Sequence, residues 1–219
     1  NGKPLSQWAV IYSSKQPERD QAAEAVRHIG SNALPYLLRG IRQPLKPDWQ
    51  IKLARIIDRL PEQFKPACLV SADPRGAWAM ESFGLLGPVA HPAVPELTRL
   101  ANHANDSFIG YKAMAALALL GNEGFIPLFA LLTNQNRFVR YNVAALMRHQ
   151  GTNARPAIPV LVQGLTQPDR EMARISADTL GILALEPNIV VPALTTNLQH
   201  PHKDVRASAV AALGGFGNE

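Results

Sequence analysis

Aromatic and basic residues interleave along this chain at helical spacing, and that mixture is the first feature in it able to do chemistry. Trp49 precedes Lys52, Arg55 and Arg59, and Trp78 shares a helical face with Arg75 and Ser82. Tyr111, Lys112, Arg137, Tyr141, Arg148 and Arg170 extend the series. A groove of this composition would hold a phosphate backbone by charge and stacking, or an acidic peptide by ion pairs and apolar contact. A solvated helix face has the same composition, so these positions are expected to bind rather than to catalyse.

Residue types that catalyse are present, but not in catalytic patterns. The glycine run at 214–217 lacks the Lys-Ser/Thr of a phosphate loop and follows no strand. His200 and His202 flank Pro201 without a third ligand at metal spacing, which fits an exposed turn. His28, His91, His103 and His149 fall near helix ends, where positive charge complements the C-terminal dipole. Cys68, beside Leu69 and Val70, reads as a small buried hydrophobe; a single cysteine excludes an internal disulfide and a cysteine-based zinc site. The carboxylate pairs Glu18/Asp20 and Asp169/Glu171 belong to first turns of helices, and Asp106, within the glycosylation-like Asn105-Asp106-Ser107, reads as a cap. The expectation is therefore no enzyme, no cofactor and no metal.

The elements that must position the aromatic-basic series follow from a repeat. An aliphatic residue precedes proline at Leu34-Pro35, Val94-Pro95, Ile126-Pro127, Ile158-Pro159 and Val191-Pro192, and the last four prolines are 32, 32 and 33 residues apart. From each aliphatic residue, positions i, i+3, i+4 and i+7 form one helical face, as in Ile158, Leu161, Val162 and Leu165. Proline suits the first turn, whose N–H groups have no intrahelical acceptor. A second helix follows each first one, with expected caps at Asp48, Asp106, Asn136, Asp169 and Asp204 and glycines near its end. Second helices are expected at 18–29, 48–59, 74–86, 107–120, 137–149, 169–183 and 203–215, giving about seven pairs. The third pair would draw its first helix from residues 61–71. The architecture is an all-α, right-handed α-solenoid forming one domain over 1–219, irregular over about 1–90 and regular over about 91–219.

The second helices carry a further signature: an acidic or polar start, Val-Arg, then an alanine-rich stretch toward Leu-Gly. It stands as DVRASAVAALGGFG at 204–217, FVRYNVAALMRHQG at 138–151 and DREMARISADTLGIL at 169–183. This resembles HEAT repeats of the short bacterial type, about 33 residues long, over about residues 30–219. The resemblance implies that second helices line the concave side, and that Arg140, Arg174 and Arg206 bond carbonyls or acidic groups of the adjacent repeat. It implies a non-enzymatic scaffold for a protein or peptide partner. Two other activities also fall within the resemblance. Some HEAT-like proteins of this size resemble alkylated-base DNA glycosylases, although no matching Trp-Asp-Arg constellation is found here. Short HEAT-like repeats also resemble those of phycobilin lyases, and no residue here supports a tetrapyrrole pocket.

Composition sets the remaining bounds. The chain has 219 residues, 47% of them apolar, and a net charge of +5 spread over both halves. Disorder is excluded, and no apolar run is long enough to cross a bilayer. The mild basic balance permits nucleic acid without demanding it. The opening NGKPLSQW resembles the segment before the repeats in exported bacterial HEAT proteins, so either the cytoplasm or export after signal removal fits. The alanine-rich last helix, with Val205, Ala209, Ala212 and Leu213, raises the expectation that the natural chain continues or that its end associates end to end with another molecule.

Overall fold

A computed structural model describes residues 3–12, 18–43, 74–102 and 107–217. All regular structure among them is helical. The chain divides into two compact units, Asn1–Leu120 and Gly121–Glu219.

The first unit holds α1 (Leu5–Tyr12), α2 (Glu18–Ile29), α3 (Leu34–Ile41), α4 (Pro74–Leu86), α5 (Val94–Asn102) and α6 (Ser107–Leu119). α1 packs on α2, α5 on α6, and α4 on α6. α3 packs on α4, joining helices on either side of residues 44–73. The sequence pattern assigns α3 a partner at 48–59; that segment, and the helix expected within 61–71, lie outside the described residues. The core is built from Leu37, Ile41, Trp78, Phe83, Leu97, Met114 and Leu117, each essentially sealed from solvent.

The second unit holds α7 (Asn122–Ala130), α8 (Arg137–Met147), α9 (Ile158–Gly164), α10 (Arg170–Leu183), α11 (Pro187–Thr196) and α12 (Lys203–Gly214). The second helices stack α8 on α10 and α10 on α12, while α9 covers α10 and α11 covers α12. The stack is close because its contact residues are small. A β-carbon on Gly181 would lie 2.4 Å from the Ala212 Cα, and one on Gly215 would lie 2.5 Å from the Gly181 carbonyl oxygen. Glycine at these two positions is thus required by backbone approach.

Two expected details change in the structure. Pro35, Pro95 and Pro159 stand in the first turns of α3, α5 and α9, each after a 3₁₀ segment. Pro127 and Pro192 lie inside α7 and α11, because those helices start earlier, at Asn122 and Pro187. Caps follow the expectation at Asn136, whose side chain accepts from Phe138 N, and at Asp169, which accepts from Glu171 N and Met172 N. Asp204 is not a cap: His202 holds that position and Asp204 lies within the first turn of α12. The caps expected at Asp48 and Asp106 lie outside the described residues.

Candidate functional site

The candidate surface of the second unit comes from the first turns of its second helices. A 33-residue shift superposes Arg137, Arg170 and Lys203 as the opening residues of α8, α10 and α12. The same shift pairs Arg140 with Arg206. Arg140 donates to the carbonyls of Asn134 (2.7 Å) and Gln135 (3.0 Å), and to Asp169 (3.2 Å) of the next repeat. Arg206 donates to the carbonyls of His200 (2.8 Å) and Pro201 (2.9 Å). Each guanidinium therefore ties its own helix to the loop entering it, satisfying carbonyls that the helix cannot. In the middle repeat that register falls on Ala173, and Arg174 stands one residue later. One residue is about 100° of helix rotation. Arg174 accordingly bonds Glu171 (3.2 Å) and Asp178 (3.0 Å) along its own helix. The expected bonding to an adjacent repeat's acid holds for Arg140 alone among these three, as far as the described residues show.

Several of the candidate binding cations are already committed. Arg148 lies 3.5 Å from Asp178 on α10, and Arg170 pairs with Asp204 on α12. Arg137 is exposed and makes no ion pair among the described residues. Tyr141, one turn along α8, is 36% exposed.

Arg137 and Tyr141 line a cleft of about 310 Å³ together with Phe138, Asp169, Glu171 and Met172. Phe138 and Met172 supply its apolar wall. Its two carboxylates are occupied from within: Asp169 accepts Glu171 N at 3.1 Å, Met172 N at 3.3 Å and Arg140, while Glu171 accepts Arg174. A second cleft of about 300 Å³ borders Arg140 and is amide-rich, with Asn134, Gln135, Gln163 and Gln167 around it. Phe138, Asp169, Glu171 and Met172 were not among the sequence-derived binding residues. Their signal was available in the 33-residue offset, which sets the first turns of α8 and α10 side by side.

In the first unit two of the expected binding residues prove structural. Trp78 is 1% exposed, packed edge-on against Tyr36 at 5.9 Å between ring centroids. Lys112 is 3% exposed; its ammonium bonds the carbonyls of Gln43 (2.7 Å) and Gly40 (3.3 Å) and lies over the Phe108 ring. Those carbonyls end α3, so the lysine neutralises the negative end of a helix distant in sequence. Both corrections have one cause: the positions fall on faces of α4 and α6 that other helices cover. Tyr111 remains 37% exposed. Trp49, Lys52, Arg55, Arg59, Cys68 and the side chain of Arg75 lie outside the described residues. His200 and His202 lie in an exposed turn with ring centroids 5.6 Å apart, and no group of three metal-ligating side chains occurs among the described residues.

With this geometry in hand, the class follows. A HEAT repeat model matches residues 190–218, which hold most of α11 and all of α12. No curated protein matches the chain. Among solved structures, the chain is similar to human deoxyhypusine hydroxylase in complex with glycerol, at 18% identity over 98% of this chain and 95% of that one, with a TM-score of 0.50. It is also similar to a designed armadillo repeat protein in complex with the peptide (KR)4, at 18% identity over 98% of this chain and 100% of that one, with a TM-score of 0.48. At 18% identity the likeness to the hydroxylase is one of fold alone. The chain has an all-α helical-repeat fold of the solenoid class, with a HEAT repeat at residues 190–218. No helix of the described residues is long and apolar enough to cross a membrane.

Proposed function

We propose that this chain is a non-enzymatic interaction scaffold that binds a protein or peptide partner on the exposed face of its second helices. In this reading residues 1–219 act as one repeat domain of the short bacterial HEAT type. Arg137, Tyr141, Arg148 and Arg170 would contribute from the second unit, Tyr111 and Arg75 from the first, and Trp49, Lys52, Arg55 and Arg59 from the segment outside the described residues. The observation that carries the reading is the open cleft between the first turns of α8 and α10, where an exposed tyrosine, an apolar wall and charged groups converge. Aromatic and arginine residues in such clefts are the ones that dominate protein recognition. The nucleic-acid alternative requires uncommitted cations, whereas Arg140, Arg148, Arg170 and Arg174 each pair with a carboxylate.

The test is selection from a random displayed-peptide library, with anisotropy titration of labelled single-stranded and duplex DNA alongside. The expected result is enrichment of peptides that bind the purified chain at micromolar affinity, and DNA binding no tighter than that. Failure to enrich any peptide, with DNA binding that weakens steeply as salt rises, would replace this reading by the nucleic-acid one.

A further inference from the structure

Charge matching inside the α8–α10 cleft specifies what it can take. Every carboxylate lining it is already bonded from within: Asp169 by two backbone N–H groups and Arg140, Glu171 by Arg174. Arg137 is the contrasting group. Its counterpart one repeat later, Arg170, is matched by Asp204, whereas Arg137 has no ion pair among the described residues. A second donor stands one turn away on the same face. The Tyr141 side chain is 36% exposed and lines the cleft, and its phenolic O–H can donate. Residues at i and i+4 on a helix are neighbours about 6 Å apart, which lets one carboxylate approach both donors. Beneath them lies the apolar wall of Phe138 and Met172.

Resting on the scaffold reading above, we infer that this cleft binds a peptide segment in which an acidic side chain stands beside a bulky apolar one. The carboxylate is held by Arg137 and the Tyr141 hydroxyl, and the apolar side chain covers Phe138 and Met172. The walls discriminate against a polyanion. Asp169 and Glu171 border the cleft, so successive phosphates of a backbone held at Arg137 would run against two carboxylates. A single carboxylate flanked by hydrocarbon sets one charge beside Arg137 and presents apolar surface to the rest of the cleft. The volume, about 310 Å³, is at the small end of ligand pockets, which run to roughly 300–1,000 Å³, and suits a pair of side chains.

The experiment uses the full chain and fluorescein-labelled, end-blocked octapeptides with glutamate beside phenylalanine, leucine or tyrosine in glycine-serine flanks. Control peptides replace the glutamate by glutamine or the apolar residue by alanine, and a labelled single-stranded oligonucleotide is run alongside. The expected result is saturable binding of the acidic-apolar peptides, weakened about tenfold by either control change and about tenfold by Arg137→Gln. Tyr141→Phe, which keeps the ring and removes the proton donor, weakens it about threefold. Lys203→Gln, remote from the cleft, leaves it unchanged. Equal binding of glutamate and glutamine peptides, indifference to Arg137→Gln, or tighter binding of the oligonucleotide would overturn the inference, as would absence of binding below about 1 mM. Displayed peptides that bind but ignore Arg137 and Tyr141 would sink this cleft while leaving the scaffold reading intact.

Discussion

The two units join their helices by different devices. In the second unit the joints are local and periodic. Arg140 and Arg206 reach carbonyls five and six residues back, and Gly181 admits the Ala212 backbone of the following repeat. In the first unit the end of α3 is closed by Lys112, whose bonds span 69 and 72 residues. Likewise Arg42 on the far side of residues 44–73 bonds Glu96 at 2.6 Å. A periodic joint repeats in the sequence and can be read there. A single long-range joint leaves no repeat to read, and its lysine is indistinguishable from a surface lysine until the fold covers it.

Trp8, Trp49 and Trp78 all lie before residue 121, so tryptophan fluorescence follows the first unit while far-UV circular dichroism follows both. The largest effect is expected from Gly181→Ala. Its new β-carbon would have to push α12 off α10, costing about 2–3 kcal/mol. Urea unfolding should show the circular-dichroism transition moving to lower denaturant while the fluorescence transition stays in place. If the two move together, the units unfold as one body and the comparison between them loses its energetic meaning.

Lys112→Met should act in the opposite unit. It removes the donor from two carbonyls at the end of α3 while roughly preserving the stem, at a cost of about 2 kcal/mol. The fluorescence transition should shift. An unchanged transition would mean that the buried ammonium costs as much to desolvate as its bonds return.

A smaller, pH-dependent effect is expected at Glu96. Hydrogen bonds from Arg99 and then Arg42 push its carboxyl down from 4.5 to about 2. A depressed carboxylate stabilises the fold fully above the ordinary value and loses that contribution as pH falls through the folded value. The stability of the first unit should therefore drop between about pH 4.5 and about pH 2, and Glu96→Gln should flatten that drop. Both arginines are half exposed, so salt should blunt the difference. An identical acid profile in the variant would remove Glu96 from the account.

The smallest change should be a gain. Helices α2 and α4 are followed by Gly30 and Gly87 with positive φ, whereas α10 is followed by Ala184 at φ 47°. Ala184→Gly relieves a left-handed alanine and should stabilise the second unit by about 0.5–1 kcal/mol, read from the circular-dichroism midpoint. A loss instead would show that unfolded-chain entropy outweighs the strain.

The regular half of the fold was legible because helical period and repeat period coincide there. The aliphatic-proline pairs, the caps at Asn136 and Asp169, and the Val-Arg starts at 139–140 and 205–206 each belong to one local segment. In the candidate site, Arg137 and Tyr141 were legible as members of the aromatic-basic series. Their neighbours Asp169, Glu171 and Met172 were not, since they come from the next repeat. Arg174 shows how fine the margin is: a one-residue offset turned an expected inter-repeat bond into pairs within its own helix.

Sequence by itself therefore determined that this chain is helical, repetitive and built from close-packed, alanine-rich second helices, because periodicity and small-residue spacing are properties of a single segment. Only the tertiary structure decided which cations are spent and which remain open. Trp78 and Lys112 were buried by helices that approach from elsewhere in the chain, and Arg170 was matched by a carboxylate one repeat away, whereas Arg137 was left without an ion pair among the described residues, on a cleft with Phe138 and Met172 in its wall. Those outcomes depend on what lies opposite a side chain, and that is set by packing between segments rather than within one.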